Sequence, residues 1–301
     1  MPIKLKDLDK RIRLKNLPFL DLEELDDKNF DELKKSAKLQ WVVPETKIHP
    51  NPKNKFKTYL VVGDIHAPKE NKPALKAVFK LMNDIKFDGI INLGDMVDLS
   101  CISHFNKTRH KTLEGLRLKS DYIIANGILD EFDTRLPEGA EKYFCKGNHE
   151  LWADQLVDEI PALEGIFDPL ECMKLKERGY KTVGYNEFIK LGKMNFTHGI
   201  YTGANPVTKH VNETKVNIGF GHTHQLEMKF FNSPARKVAI AGYNFGTLGT
   251  LSPEYTKRRP NNWNAGFGVF YLFSDGTFDV QLIRIVKDRF IYSGKLYDGA
   301  K

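Results

Sequence analysis

Thr58-Tyr59-Leu60-Val61-Val62-Gly63-Asp64-Ile65-His66 is the stretch on which the fold turns. Its first five residues are apolar or β-branched with no polar face, the pattern of a strand buried on both sides. A glycine then ends the run and polar residues follow at once. Gly89-Ile90-Ile91-Asn92-Leu93 followed by Gly94-Asp95-Met96-Val97-Asp98 repeats the arrangement. Between the two, Pro73 can start a helix in which Leu75, Val78, Phe79 and Met82 fall at i, i+3, i+4 and i+7. Strand, helix and strand in this order imply a parallel pair joined by a crossover, and so an α/β fold.

Working outward, a helical segment is predicted from about Thr112 to Phe132 and a strand over Lys142–Cys145. Beyond Phe188 the pattern is mostly short strands: Ile189–Phe196, Val216–Phe220, Leu226–Phe231, Val238–Ala241, Phe267–Phe273 and Phe278–Ile285. Ser274-Asp275-Gly276 joins the last two as a hairpin. The expected architecture is a four-layer α/β/β/α sandwich of two mixed sheets flanked by helices. Residues 153–188 carry no readable period. Residues 1–57 read as an extension and linker, and 58–301 as the main domain. The extension is basic from Lys4 to Lys15, acidic from Asp21 to Glu32, and broken by prolines from Pro44 to Pro52.

At 301 residues, with 41% hydrophobic and 28% charged content, the chain is neither a disordered polymer nor a disulfide scaffold. Cys101, Cys145 and Cys172 lack metal-knuckle spacing, which favours reduced thiols. No apolar run approaches the ~20 residues of a membrane helix, and the amino terminus lacks a signal-peptide core. A cytoplasmic protein without a membrane partner is therefore expected. The 46 Lys+Arg against 39 Asp+Glu, net +7, favour a polyanionic partner.

Five polar clusters follow five apolar runs: Gly63-Asp64-Ile65-His66, Gly94-Asp95-Met96-Val97-Asp98, Gly147-Asn148-His149-Glu150, Thr197-His198-Gly199 and Gly221-His222-Thr223-His224. The carboxyl ends of strands in an open α/β sheet share one rim, where ligands bind. Clusters far apart in sequence should therefore meet in space. Asp, His and Asn without Cys form an oxygen and imidazole donor set suited to Mn, Fe, Ni or Zn. Such a carboxylate-rich rim would repel itself without cations.

These clusters resemble the signature of the calcineurin-like metallophosphoesterases: GDxH, GDxxD, GNH(E/D), an isolated His after a strand, and GHxH, in that order over residues 63–224. Asn244-Phe245-Gly246-Thr247 is similar to the family's turn after GHxH. Length and layout are most like phage and bacterial members of undefined substrate, and for a phage-encoded chain the cytoplasm would be the host's. The resemblance implies two divalent transition-metal ions, most readily Mn. Asp64, His66 and His224 would hold one, Asn148, His198 and His222 the other, and Asp95 would bridge them. It implies in-line attack on a phosphoester by a metal-bridging hydroxide. His149 would stabilise charge or protonate the leaving oxygen, and Asp98 would orient His149 by hydrogen bonding.

The departures from the family pattern bear on substrate. Leu99 stands where the protein phosphatases carry a phosphate-gripping arginine. His104 and Arg109, with Lys107 and His110 beside them, are candidate phosphate grips, although a solvated basic face reads equally well. Trp152 is a candidate stacking face for a base or sugar, against the plainer reading of a core aromatic. A phosphoester of nucleotide or nucleic-acid type is the expected substrate. The rival readings are a DNA nuclease of double-strand-break-repair type and a non-catalytic, metal-stabilised binding module.

Overall fold

The computed structural model describes residues 55–103, 106, 113–114, 116–165, 167–235, 237–253 and 261–300. In chain order these form β1 (Phe56–Val62), α1 (Lys72–Asp84), β2 (Gly89–Asn92), α2 (Leu118–Arg135), β3 (Glu141–Cys145), α3 (Asn148–Glu159), α4 (Pro169–Cys172) and β4 (Tyr180–Val183). There follow β5 (Ile189–Leu191), β6 (Met194–Phe196), α5 (Pro206–Thr214), β7 (Asn217–Phe220), β8 (Leu226–Phe231) and β9 (Ile240–Phe245). The last strands are β10 (Gly266–Phe273), β11 (Phe278–Arg284), β12 (Arg289–Tyr292) and β13 (Lys295–Asp298).

The first sheet runs β11-β10-β1-β2-β3-β4. Strands β1 to β4 are parallel, and β10 and β11 close one edge antiparallel. The second sheet runs β5-β6-β7-β9-β8, with a parallel centre and an antiparallel strand at each edge. Both sheets are mixed. Tyr59 and Val61 of β1 face the second sheet, where they share a core with Phe196, Tyr243, Phe245 and Phe270. Leu60 and Val62 point the other way, onto Val78 and Leu81 of α1 and Leu129 and Phe132 of α2. On the far side of the second sheet, Ile218 and Phe220 pack on Val207 and Val211 of α5. The order of layers is α/β/β/α. Each fully buried side chain of this size contributes ~1.5–3 kcal/mol, so both faces of β1 are anchored.

Helix α1 starts as its sequence predicts, with Pro73 in the first turn and the Asn71 side chain accepting from Ala74 N–H. Several boundaries differ from expectation. Strand β1 begins at Phe56, inside the expected extension, because Phe56 and Lys57 pair with Phe273 and Leu272. Helix α2 starts at Leu118, and Thr112 lies outside the described residues. The single strand predicted over Ile189–Phe196 is a hairpin, reversed at Gly192 (φ +58°) and Lys193. Strand β9 continues to Phe245, past the predicted end at Ala241. Helix α5 and the β12–β13 hairpin have no counterpart in the sequence reading. The stretch without a readable period holds most of α3, all of α4, and β4.

Candidate metal centre

β1, β2 and β3 end at Val62, Asn92 and Cys145, and β6 and β7 at Phe196 and Phe220; a polar cluster follows each. The first two loops are zipped together beyond the sheet. Asp64 N–H donates to Gly94 O, and His66 N–H to Asp95 O, each at 2.9 Å. Asp64, His66, Asp95, His222 and His224 all take positive φ, between 49° and 64°. Left-handed backbone at a residue other than glycine costs about 1–3 kcal/mol and concentrates at functional sites.

The side chains converge. His224 Nε2 lies 3.1 Å from Asp64 Oδ1 and 3.0 Å from His66 Nε2. His198 Nε2 lies 2.9 Å from Asn148 Oδ1, 3.2 Å from His222 Nδ1 and 3.3 Å from Asp95 Oδ2. The same Asp95 oxygen is 3.8 Å from His66 Nε2 and 3.8 Å from His149 Nε2. Among the described residues, three overlapping groups have the spacing to hold a metal ion: Asp64, His66 and His224; Asp95, His198 and His222; and His66, Asp95 and His149. Asp64, Asp95 and His198 are almost wholly buried.

The backbone grips the two carboxylates. His222 N–H reaches both oxygens of Asp64 at 2.9 and 3.0 Å, and His149 N–H donates to Asp95 Oδ1 at 2.9 Å from the first turn of α3. Two glycines make this approach possible. A Cβ on Gly221 would sit 2.1 Å from Asp64 Oδ2, and one on Gly147 2.2 Å from Asp95 Oδ1. The turn after the last cluster braces the same loops. Thr247 Oγ1 donates to Asp64 O at 2.6 Å, and Asn244 Nδ2 to Thr223 Oγ1 at 2.6 Å.

Charge follows from burial. Burial would raise the Asp95 carboxyl, but His198, His149 and His66 outweigh it and hold Asp95 well below the usual range. Burial opposes protonation of His198 too, yet Asp95 and Asp64 push its pKa up to about 9. Burial and the neighbouring His198 bring His222 down to about 4, and burial with His149 puts His66 well below normal. Buried imidazoles and carboxylates of opposed tendency, aimed at one another, fit cations better than protons. His66 Nδ1, His224 Nδ1 and Asp98 Oδ1 are buried without a hydrogen-bond partner. The donor set is N and O without S, which suits a divalent transition metal.

Asp98 meets His149 differently from expectation. His149 Nδ1–H donates to the main-chain oxygen of Asp98 at 2.6 Å, while the nearer carboxylate oxygen lies 4.0 Å away. That carboxylate faces Lys69 Nζ at 2.6 Å, the Ser100 hydroxyl, and His66 Nδ1 at 3.7 Å. Trp152 is half-buried, lies against His149 with centroids 3.9 Å apart and planes tilted by 33°, and also touches the core. His104, Arg109, Lys107 and His110 lie outside the described residues.

Three residues that shape the site were given no role in the sequence reading. Glu150, fully buried, accepts N–H bonds from Gly147, Asp95, Met96 and Val97 at 2.8–3.3 Å. Its bond from Gly147 N–H is one half of a capping box, the glycine having no side chain to supply the other half. Lys69 faces Asp98, and Trp263 packs edge-on against His224 at 4.3 Å, 68° between planes. No spacing rule marks these two.

The profile of the calcineurin-like phosphoesterases matches residues 57–226. The "Gene 54 protein" of Mycobacterium phage D29 is 26% identical over 262 residues, 80% of this chain and 99% of its own. Among solved structures, a metallophosphoesterase from Sphaerobacter thermophilus is 16% identical with a TM-score of 0.40, covering 76% of this chain and 88% of its own. A Vps29 double mutant from Entamoeba histolytica is 16% identical with a TM-score of 0.40, covering 80% and 96%.

Proposed function

Because the chain belongs to the calcineurin-like phosphoesterase family, we propose that it is a dinuclear metal-dependent hydrolase of nucleotide or nucleic-acid phosphoesters. The observation that carries this reading is one carboxylate, Asp95, within 3.8 Å of imidazoles from both donor sets. Asp64, His66 and His224 would hold one cation, Asn148, His198 and His222 the other, and Asp95 would serve both. Two divalent cations in such a site supply an activated water at neutral pH and neutralise charge on the phosphoryl oxygens. Mn is the expected ion, with Fe, Ni and Zn compatible with the same donors.

The chain's own residues do the rest. His222 N–H and His149 N–H hold the Asp64 and Asp95 carboxylates in position. The Asp98 carbonyl accepts a hydrogen bond from His149 Nδ1–H and so aims Nε2 into the centre. In its imidazolium form His149 gives the Nε2 proton to the leaving oxygen. Lys69 balances the Asp98 carboxylate, which would otherwise add uncompensated negative charge beside the phosphate.

For substrate class, support comes from Leu99, buried where a protein phosphatase carries arginine, from the net charge of +7, and from the Trp152 ring on His149. We assign residues upstream of β1 to an extension that follows a phosphate backbone, and the site of action to the host cytoplasm, in keeping with the phage relative. Among the described residues no helix is long and apolar enough to cross a membrane.

The test is metal analysis joined to turnover. Reconstituted protein should bind close to two equivalents of Mn, and Asp95→Ala should lose most of both. Hydrolysis of an aryl phosphodiester should require the metal. A screen over mononucleotides, cyclic nucleotides, DNA and phosphopeptides should favour nucleotide esters. Saturation at one equivalent, untouched by Asp95→Ala, overturns the dinuclear reading, and preference for a phosphopeptide overturns the substrate class.

A further inference from the structure

The imidazoles of the centre are not all held in the same way. A metal-binding histidine usually donates its second ring N–H to a fixed acceptor, which sets its tautomer and plane. His198 follows that rule, its Nδ1 donating to Leu93 O at 2.7 Å. His149, beside it, donates to Asp98 O at 2.6 Å. His210, outside the centre, donates to Pro206 O at 2.7 Å and accepts Ile200 N–H at 2.9 Å. His224 does not: among the described residues its buried Nδ1 has no hydrogen-bond partner, although its Nε2 is aimed at Asp64 Oδ1 and His66 Nε2.

What touches the His224 ring instead is an indole. Trp263 meets it edge-to-face, centroids 4.3 Å apart and planes at 68°. The segment carrying Trp263 is tied to the loop carrying His224. Asn264 N–H donates to His224 O at 2.7 Å, Asn264 Oδ1 accepts from Leu226 N–H at 3.2 Å, and Gln225 O accepts from Gly246 N–H at 2.9 Å. Trp263 N–H donates to Asn261 Oδ1 at 3.1 Å, closing a local turn. The indole is thus fixed relative to the ring it touches. On the other flank His66 closes the sandwich, its ring 5.0 Å from His224 at 68°.

We propose that Trp263 is a positioning residue for the metal site formed by Asp64, His66 and His224, replacing by ring packing the hydrogen bond that His224 lacks. The inference rests on the dinuclear reading above. Packing restricts the ring plane, so Nε2 stays aimed at Asp64 and His66. Aromatic rings in edge-to-face contact prefer a defined mutual geometry, which selects one rotamer of the His224 ring. A smaller aromatic ring at 263 should preserve much of this, and an aliphatic side chain should not.

The test is a Mn titration of the full chain followed by the EPR signal of free Mn, with far-UV circular dichroism confirming the fold. Trp263→Leu should weaken one of the two equivalents ~10–100-fold, the usual cost of losing an outer support. The other equivalent should move by less than about threefold. Trp263→Phe should restore most of the lost affinity. Loading with Co(II) should show an altered visible spectrum in Trp263→Leu and a near-native one in Trp263→Phe. Asp64→Ala, read in parallel, should abolish the weakened equivalent. If Asp64→Ala does so while Trp263→Leu binds like wild type, or Phe rescues no better than Leu, the Trp263 role is wrong and the dinuclear reading stands. If wild type binds no Mn, or Asp64→Ala changes nothing, both fall together. Should Trp263→Leu fail to fold, Trp263→Phe against Trp263→His decides: the proposal requires both to bind within about tenfold of wild type, and selective loss of one equivalent in Phe overturns it.

Discussion

His149 receives support from two directions, through its backbone N–H on Asp95 and through Nδ1 on the Asp98 carbonyl. Its removal should therefore separate chemistry from metal binding. His149→Ala is expected to keep both equivalents of metal and to lower turnover ~10²–10⁴-fold. Loss of metal in that variant would place His149 among the ligands, a role compatible with its spacing to His66 and Asp95. Asp98→Asn leaves the carbonyl in place and changes only the charge facing Lys69 and His66, so a smaller loss of turnover is expected. Asp121 gives a pH test. Burial and the nearby Asp98 push its carboxyl from 3.8 up to about 6. A carboxyl with a raised folded pKa favours the native state most when protonated, so its contribution is lost as pH rises from about 4 to 6. Asp121→Asn removes that dependence. Urea midpoints should converge for the two proteins near pH 4 and separate in favour of the variant by pH 7.

At the scale of elements, the loop after β2 depends on a single side chain from α3. Glu150 accepts N–H groups from Asp95, Met96 and Val97 as well as from Gly147, so one buried carboxylate sets the path of the Asp95 loop. Burial and the proximity of Asp95 raise the Glu150 carboxyl, while the converging N–H dipoles favour its ionised form. Glu150→Gln would turn one oxygen into a donor facing N–H groups. A loss of ~2–4 kcal/mol in urea unfolding is expected, together with weaker metal binding. The loop after β7 depends on space. Gly221→Ala places a methyl 2.1 Å from Asp64 Oδ2, and the carboxylate or the loop must move. Metal content in the Asp64 set should fall even where circular dichroism stays native.

For the whole molecule, the net charge of +7 bears on whether the substrate is a polymer. If the cationic clusters Lys4–Lys15, Lys107–Lys111 and Lys257–Arg259 contact a nucleic acid, log Kd should rise with log salt by about one unit per phosphate. Truncation should flatten that slope. The cut belongs before Lys55, because Phe56 and Lys57 are part of β1; Phe56 packs on Tyr271 and Phe273, and Lys57 pairs with Glu141 at 2.5 Å. A salt-insensitive enzyme, equally active on short nucleotides, would remove the polymer and keep the nucleotide.

The β1–α1–β2 unit and the positions of all five clusters at strand ends were legible in the sequence. Apolar runs, a proline and glycines act over a few residues, and their signal is local. The Ile189–Phe196 hairpin was not legible, because its turn is set by Gly192 fitting against Gly276 of the distant β10–β11 connection; a Cβ there would meet that carbonyl at 2.5 Å. Helix α5, with β-branched Val207, Thr208 and Val211, carries weak propensity and is stabilised by packing on Ile218 and Phe220. The same limit applies inside the site. The family resemblance implied that Asp98 and His149 meet, but only folding decided that a carbonyl, not the carboxylate, accepts the Nδ1–H hydrogen bond. Glu150 beneath the Asp95 loop and Trp263 against His224 are likewise products of tertiary packing. Contacts of this kind join segments far apart in the chain and leave no period in the sequence, so they exist only once the two sheets have stacked.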